Sequence, residues 1–414
     1  MNQIEYIISY FIFLIICFLP LLSCSSSKND NVSESVLQNS NIVATREIIN
    51  GDSVITCHID RLDKNFTLDI PLSTFIDTLE IIRLDNSKEA LIGAYGFCDF
   101  SDNHIVVSQV FGPVMLFDRQ GKFISQLGRI GNGPGEYVSG PWHVQILEDY
   151  NRIYFSVTPH IMEYDLEGNL KEEIPFAFDN TWGQILVNPE TRKIMVAQIY
   201  YSTSGHGSAP PVWIQDFEGN SEWHTYDPIE KMEASYANKA MLHSRDKDGF
   251  ELSYGRYAVV PDTLYYFDMK NKRLSPRFTA TFNGGTSWHY YCHKGDYYMI
   301  SPIIFMGGNN TWENDFNRMV IVDTNTLRGS YCKIYNDFIG GMELEVIPEN
   351  ILFSVEDFNV LIEPGDLIDK IEARLGSKNI SKEDKELLTK LRETISLNDN
   401  TYILHGKYKK PNKL

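Results

Sequence analysis

Residues 116 to 127, LFDRQGKFISQL, followed at once by residues 128 to 137, GRIGNGPGEY, decide the fold. The first part has the pattern of a β-hairpin, with an apolar strand ending at Asp118, a glycine three residues later at Gly121, and a second strand beyond it. Turn chemistry explains the spelling. An aspartate at the first turn position accepts hydrogen bonds from backbone N–H groups two residues on, and glycine supplies the positive φ that folds one strand back on the other. The spelling returns at Asp165 with Gly168 and at Asp216 with Gly219. Weaker copies stand at Asp268 and Asp323, where Asn271 and the pair Asn325–Thr326 occupy the place expected for glycine. The five aspartates are 47, 51, 52 and 55 residues apart, near the length of a four-stranded propeller blade, about 40 to 50 residues.

Upstream of the turns lie further strand pairs, VQILEDYNRIYF at 144 to 155, QILVNPETRKIMV at 184 to 196 and YYCHKGDYYMI at 290 to 300. Each unit is therefore expected to hold four antiparallel strands. The span from Leu91 to Tyr408 has room for six units, so the sequence predicts an all-β, six-bladed β-propeller. A short helical insertion is expected at about 366 to 397, where the apolar spacing changes. Ser381-Lys382-Glu383-Asp384 has the form of a capping box, and Leu387, Leu388, Leu391 and Ile395 fall on one stripe. The closing strand, Thr401 to Leu404, is expected to pair with PLSTFIDTLEIIRLD at 71 to 85, because joining the two chain ends removes an exposed sheet edge.

Composition limits function less than fold. Of 414 residues 13% are aromatic, which suits packing on pleated sheets. A formal charge of −18, with no block of Lys and Arg, argues against a nucleic-acid partner, since neutralising phosphates needs clustered bases.

Tyr6 to Leu22 is apolar, short and interrupted by Pro20, as in the core of a secretory signal more than a membrane span. Leu21-Leu22-Ser23-Cys24 resembles the lipobox of bacterial lipoproteins, which implies acylation of Cys24 and membrane attachment through lipid. The expected organisation is a signal peptide at 1–23, a flexible tether at 24–45 and the propeller at 46–414. Met1 to Glu5 carries an acid and no base, a departure that leaves an uncleaved anchor or a different start as the alternative. Cys57, Cys98, Cys292 and Cys332 fit either two disulfides, in any of three pairings, or single buried thiols.

The segments PLSTFIDTLEIIRLD, LFDRQGKFISQLGRIGNGPGEY and NDNTYILHGKYKK (398 to 410) together resemble the six-bladed β-propeller lipoproteins of Bacteroidota, relatives of NHL-type propellers and mostly domains of unknown function. The resemblance covers about residues 65 to 410 and implies the propeller fold and a cell-envelope address on the outer membrane, periplasmic or surface-facing. It implies no agreed reaction, so no catalytic residue is carried over.

GRIGNGPGEY lacks the Lys-Ser/Thr of a phosphate loop and follows a hairpin instead of joining a strand to a helix. A structural role is expected for Gly128, Arg129, Gly131, Gly133, Pro134, Gly135, Glu136 and Tyr137: a tight crossing between blades, with Arg129 paired to Glu136. Trp142, Trp182 and Trp288 each stand just before the expected first strand of a blade, with His143 and His289 beside two of them. Indoles near a channel mouth would stack on a sugar ring or another flat ligand, whereas indoles wedged between blades would be core. The loops 200–211 and 307–317, the second with Trp312, are further recognition candidates.

No HExxH, GxSxG, EF-hand or Cys-His metal pattern occurs. The sequence implies no cofactor and no metal ligand, and the balance tips away from an enzyme. The leading expectation is a lipid-anchored module binding a glycan, peptide or protein. The alternatives are a periplasmic hydrolase or lyase with a divalent ion in the channel, and a scaffold subunit of an envelope complex. Asp52-Ser53-Val54, Asp77-Thr78-Leu79 and Asp262-Thr263-Leu264 resemble O-glycosylation sites of exported Bacteroidota proteins, with Ser53 favoured as an exposed residue in the expected tether region.

Overall fold

A computed structural model describes residues 36–410 except 94–95, 110–111, 142, 179–182, 198–209, 211, 226–238, 246–248, 258–262, 283–286, 307–311, 316–318 and 345–356, with backbone alone at 239–245, 254–257, 287–288, 301–306 and 312–315. The chain forms a six-bladed β-propeller. Blade one is Gly96–Phe100, His104–Gln109, Val114–Asp118 and Phe123–Leu127. Blade two is Val144–Leu147, Arg152–Val157, His160–Tyr164 and Leu170–Pro175. Blade three is Gln184–Asn188, Lys193–Ala197, Val212–Asp216 and Ser221–Thr225. Blade four is Lys239–Arg245, Gly249–Tyr257, Leu264–Asp268 and Arg273–Thr281. Blade five is Ser287–Lys294, Tyr297–Met306, Met319–Asp323 and Gly329–Tyr335. All neighbours within a blade are antiparallel.

The N-terminal segment supplies the outer strands of the last three blades. Strands β1 (Ala44–Ile49) and β2 (Asp52–His58) form a hairpin, and β2 adds in parallel to the outer strand of blade four, Ile55 opposite Phe278. Strand β3 (Leu68–Pro71) adds in parallel to blade five. Strand β4 (Glu80–Arg83) completes blade six beside Asp357–Ile362 and Tyr402–Lys407. The expected pairing of the two chain ends is therefore present, and it leaves no open seam between blades six and one.

The proposed tether is shorter than the sequence suggested. Leu37 and Val43 are fully buried, and β1 begins at Ala44, because the aliphatic residues of this stretch fill gaps at the outer edges of blades four and five. Ser53 lies in β2, opposite Ile48, and not in a tether.

Alternation along each strand buries side chains on both faces, so the core is a set of layers between consecutive blades. Leu116, Tyr137, Phe155 and Tyr164 fill the layer between blades one and two. Ile161, Ile185, Val196 and Trp213 fill the next, and Ile82, Phe100, Val107 and Ile403 fill the closing layer between six and one. At about 25 cal/mol per Å² of apolar surface, such layers dominate the stability of a ring whose blades touch only their neighbours.

The turn aspartates behave as their spelling predicts: Asp118, Asp165 and Asp216 accept hydrogen bonds from the amides of Lys122, Asn169 and Asn220. Gly121, Gly168 and Gly219 have φ of +84°, +87° and +81°. In blades four and five the positive φ moves one residue on, to Lys272 (+51°) and Leu327 (+59°), so Asn271 and Thr326 do not replace the glycine. Those two turns are wider, Leu327 closing back to the carbonyl of Asp323.

The expected insertion is two helices, α1 (Pro364–Leu375) and α2 (Lys382–Thr394), between the two C-terminal strands of blade six. Ser381 caps α2 by accepting from the amide of Asp384 at 3.0 Å. Leu388 and Ile395 are buried, but Leu387 is 47% exposed. The stripe is narrower than expected, because Leu388 already meets the blade and Leu387, one residue away, is turned off it.

Cys57, Cys98, Cys292 and Cys332 are all free thiols. Burial pushes the thiols of Cys57 and Cys292 up to about 12.

Candidate functional site

In a four-stranded meander the first and third turns fall on one side and the second turn, with the crossover to the next blade, on the other. The ring thus has a turn side and a loop side. On the turn side, one blade after another holds its neighbour through paired polar groups. Glu148 of blade two lies 2.6 Å from His104 Nδ1 of blade one and accepts from the amide of Asn103 at 3.1 Å. The hydroxyl of Tyr150 donates to Glu190 of blade three at 2.6 Å. Glu251 of blade four lies 3.0 Å from His293 Nδ1 of blade five, and Lys407 of blade six reaches Asp102 of blade one at 3.5 Å.

The densest of these clusters closes the ring. His405, buried in blade six, has Nδ1 2.7 Å from Glu80 and Nε2 3.1 Å from Asp357. Arg119, from the turn of blade one, also meets Glu80 and Nδ1 of His405. Phe100 lies against the imidazole, ring centroids 4.0 Å apart. Burial lowers the pKa of His405, but hydrogen bonds to Asp357 and Glu80 outweigh it and raise the net value. Glu80 is shifted below the ordinary carboxylate range, first by His405. Both ring nitrogens of His405 face protein groups, Glu80 and Asp357, so the cluster acts as a latch between blades six and one. Sequence reasoning missed it. Its only local sign was a histidine inside the apolar strand YILHGK.

GRIGNGPGEY is a crossover on the loop side. Arg129–Ile130 and Glu136–Tyr137 pair in parallel, and the Arg129 guanidinium meets the Glu136 carboxylate. The other oxygen of Glu136 accepts from the amide of Gly133 at 2.8 Å, and the amide of Gly135 donates to Glu173 of blade two at 2.7 Å. A β-carbon at Gly131 would meet the Glu136 carboxylate and require that side chain to shift from its bonds with Arg129 and Gly133. The folded crossover drives Tyr137 between blades one and two. Its hydroxyl accepts from the amide of Val114 at 2.9 Å and donates to the carbonyl of Leu127 at 3.0 Å. The amides of Gly133 and Gly135 donate to protein carboxylates and those of Gly131 and Glu136 to backbone carbonyls, so these four are not presented to a phosphate.

Of the five residues singled out for ligand binding, Trp142, Trp182 and the side chain of Trp288 lie outside the described residues. The backbone of Trp288 pairs with Tyr257 of blade four and Ile304 of blade five. His289 is 5% exposed, with Nε2 3.0 Å from the Tyr291 hydroxyl and its ring on Phe282 at 4.3 Å. It packs between blades four and five, so a solvent-facing role for it is not what the structure places there. His143 is half-buried at the start of blade two, its carbonyl accepting from Ser156 at 3.1 Å. Blades two and five are opposite each other in a ring of six, so the structure does not bring the two histidines together. Much of loop 200–211 and of loop 307–317, with the side chain of Trp312, lies outside the described residues. Among the described residues no group of three His, Cys, Asp or Glu could hold a metal ion, and no helix is long and apolar enough to cross a membrane.

Residues 55–407 match the model of a family described as a domain of unknown function, DUF4934. The chain belongs to that family. No curated protein matches it. Among solved structures it is similar to a "putative exported protein" of Bacteroides fragilis, at 16% identity over 83% of this chain and 98% of that one, with a TM-score of 0.55. A protein of unknown function from Bacteroides caccae matches 58% of this chain and 83% of its own at 14% identity, TM-score 0.34. The Pan2 WD40 domain of Neurospora crassa matches 63% and 73% at 9% identity, TM-score 0.37. The first of these likenesses shows the propeller fold; the other two add nothing to it.

Proposed function

We propose that this DUF4934 chain is an exported propeller, attached to the envelope membrane through lipid on Cys24, that binds a glycan, peptide or protein ligand on its loop side. The observation that carries the reading is the division of labour between the two sides. The turn side is committed to short turns and blade-to-blade pairs, while the loop side holds the long connections from Ala197 to Val212, Met306 to Met319 and Ile362 to Tyr402. Recognition residues concentrate on such connections because a rigid scaffold positions them at little cost to the fold. In sequence Trp142 and Trp182 come just before the first strands of blades two and three and Trp288 lies in the first strand of blade five, and the lipobox-like Leu21 to Cys24 supports the address, as does the description of the Bacteroides fragilis neighbour as exported.

Arrays of oligosaccharides and peptides, probed with the chain from Asn29 onward, test the binding reading. A ligand whose affinity falls at least tenfold in Trp142→Ala, Trp182→Ala or Trp288→Ala, with folding unchanged by circular dichroism, supports it. A ligand insensitive to all three but lost on substitution of turn-side residues would reverse the assignment of sides.

A further inference from the structure

We infer that the turn-side rim formed by β1 rests on an anionic lipid surface, so that the membrane holds the propeller with its loop side facing away. The inference rests on the proposed lipid attachment at Cys24 and adds an orientation to it. Its first support is where the described chain begins. Ser40 and Asn41 are held by Arg328 and by the amide of Gly329, and Val43 donates to the carbonyl of Leu327, all at the outer turn of blade five. Twelve residues separate Cys24 from fully buried Leu37. A chain of that length reaches at most roughly 45 Å when fully extended. The lipid attachment therefore lies within that distance of this rim.

The second support is what the rim exposes. From the turn of blade five, where Arg46 reaches the carbonyl of Thr324, β1 runs to the turn of blade four, where Asp52 pairs with Arg273. Ile42, just before β1, and Ile48 and Ile49 on it are 57%, 70% and 43% exposed, and the outer edge of β1 is unpaired among the described residues. Aliphatic side chains beside a lipid anchor gain by entering the interfacial region. Charge agrees. Arg46, Lys270, Lys272, Arg273 and Arg328 stand beside Glu47, Asp52, Asp268 and Asp323 here, against an acid excess of −18 over the whole chain, and bases near an anionic surface are attracted to it.

Hydroxyl-radical footprinting tests this on the full-length acylated protein in vesicles of phosphatidylethanolamine and phosphatidylglycerol, with the Cys24→Ser chain in solution as reference. Oxidation of Ile48 and Ile49 is expected to fall at least threefold on the vesicles. Val138 and Leu397, exposed on the loop side, are expected to stay unchanged. The double variant Ile48→Glu, Ile49→Glu, confined to exposed positions, is expected to bind vesicles through its lipid but to lose protection of Ile42. Unchanged oxidation of Ile48 and Ile49 in an acylated chain, or protection of Val138 and Leu397 instead, overturns the orientation while leaving the anchor intact. Protection seen in native membranes but not in pure lipid assigns the rim to a protein and overturns the lipid assignment. Mass analysis of the N-terminal peptide is read first, and a chain without acyl groups removes the attachment and the orientation together.

Discussion

Gly121, in the outer turn of blade one, lies so close to the carbonyl of Arg83 in β4 that a β-carbon on it would overlap the Arg83 oxygen. The contact recurs around the ring: Gly168 of blade two sits on Ser125 of blade one, and Gly219 of blade three sits on Pro175 of blade two. Glycine at these turns thus answers two demands, a positive φ within the blade and a close approach to the blade before it. Gly51, at the β1–β2 hairpin, has φ +90° but nothing within 4 Å of its missing β-carbon. Gly51→Ala is expected to cost about 1 kcal/mol from backbone strain alone. Gly121→Ala is expected to cost at least about 2 kcal/mol more, because the oxygen it meets is backbone and must move with β4. Urea unfolding of the two variants measures the difference.

Tyr137 joins the end of a strand pair from outside it. Removing its hydroxyl leaves the amide of Val114 and the carbonyl of Leu127 without that bridge in a buried layer. Tyr137→Phe is expected to lose about 2 kcal/mol with no change in overall fold. The readout is the urea midpoint, with circular dichroism unchanged at zero denaturant.

The His405 latch makes stability depend on pH. Its folded pKa is raised above the unfolded value, about 6.5, by Asp357 and Glu80, against burial and against Arg119. Its contribution is therefore complete below about pH 6.5 and is lost as pH rises through the raised folded value. His405→Gln is expected to be destabilised by about 3 kcal/mol at pH 6, because buried Asp357 loses its partner. The gap to wild type is expected to narrow as pH rises above 7. Thermal unfolding from pH 5.5 to 9 measures it, and a gap that widens with pH contradicts the protonated latch.

The cysteines are expected to be silent. Cys57, Cys292 and Cys332 are buried, free and raised well above the ordinary thiol value by burial. A thiol reagent at pH 8 is expected to leave all three unmodified in the folded chain and to modify them on unfolding in urea. A chain that shows fewer free thiols after unfolding without reductant would reveal a disulfide that the fold does not have.

The parts of the fold legible in sequence are those whose cause is local. An aspartate, a positive φ and two flanking strands lie within 14 to 16 residues, so the blade turns could be located from Asp118, Asp165 and Asp216. Ser381 and Asp384 are as close, and the α2 cap was equally plain. What escaped notice depends on partners brought from far away. The latch joins residues 80, 119, 357 and 405, none of which is unusual where it stands. The parallel addition of β2 to blade four pairs Ile55 with Phe278, and neither sequence names the other. His289 looked like a mouth residue beside Trp288 because strand position alone does not say that Phe282 and Tyr291 would enclose it.

The most direct test of the account is a crystal structure of the chain from Asn29 onward, soaked with the tightest ligand from the arrays and with divalent cations. The account predicts ordered ligand on the loop side, in contact with Trp142, Trp182 or Trp288. Ligand on the turn side among His104, Glu148 and Glu190, or a metal ion held by convergent side chains in the channel, would contradict it.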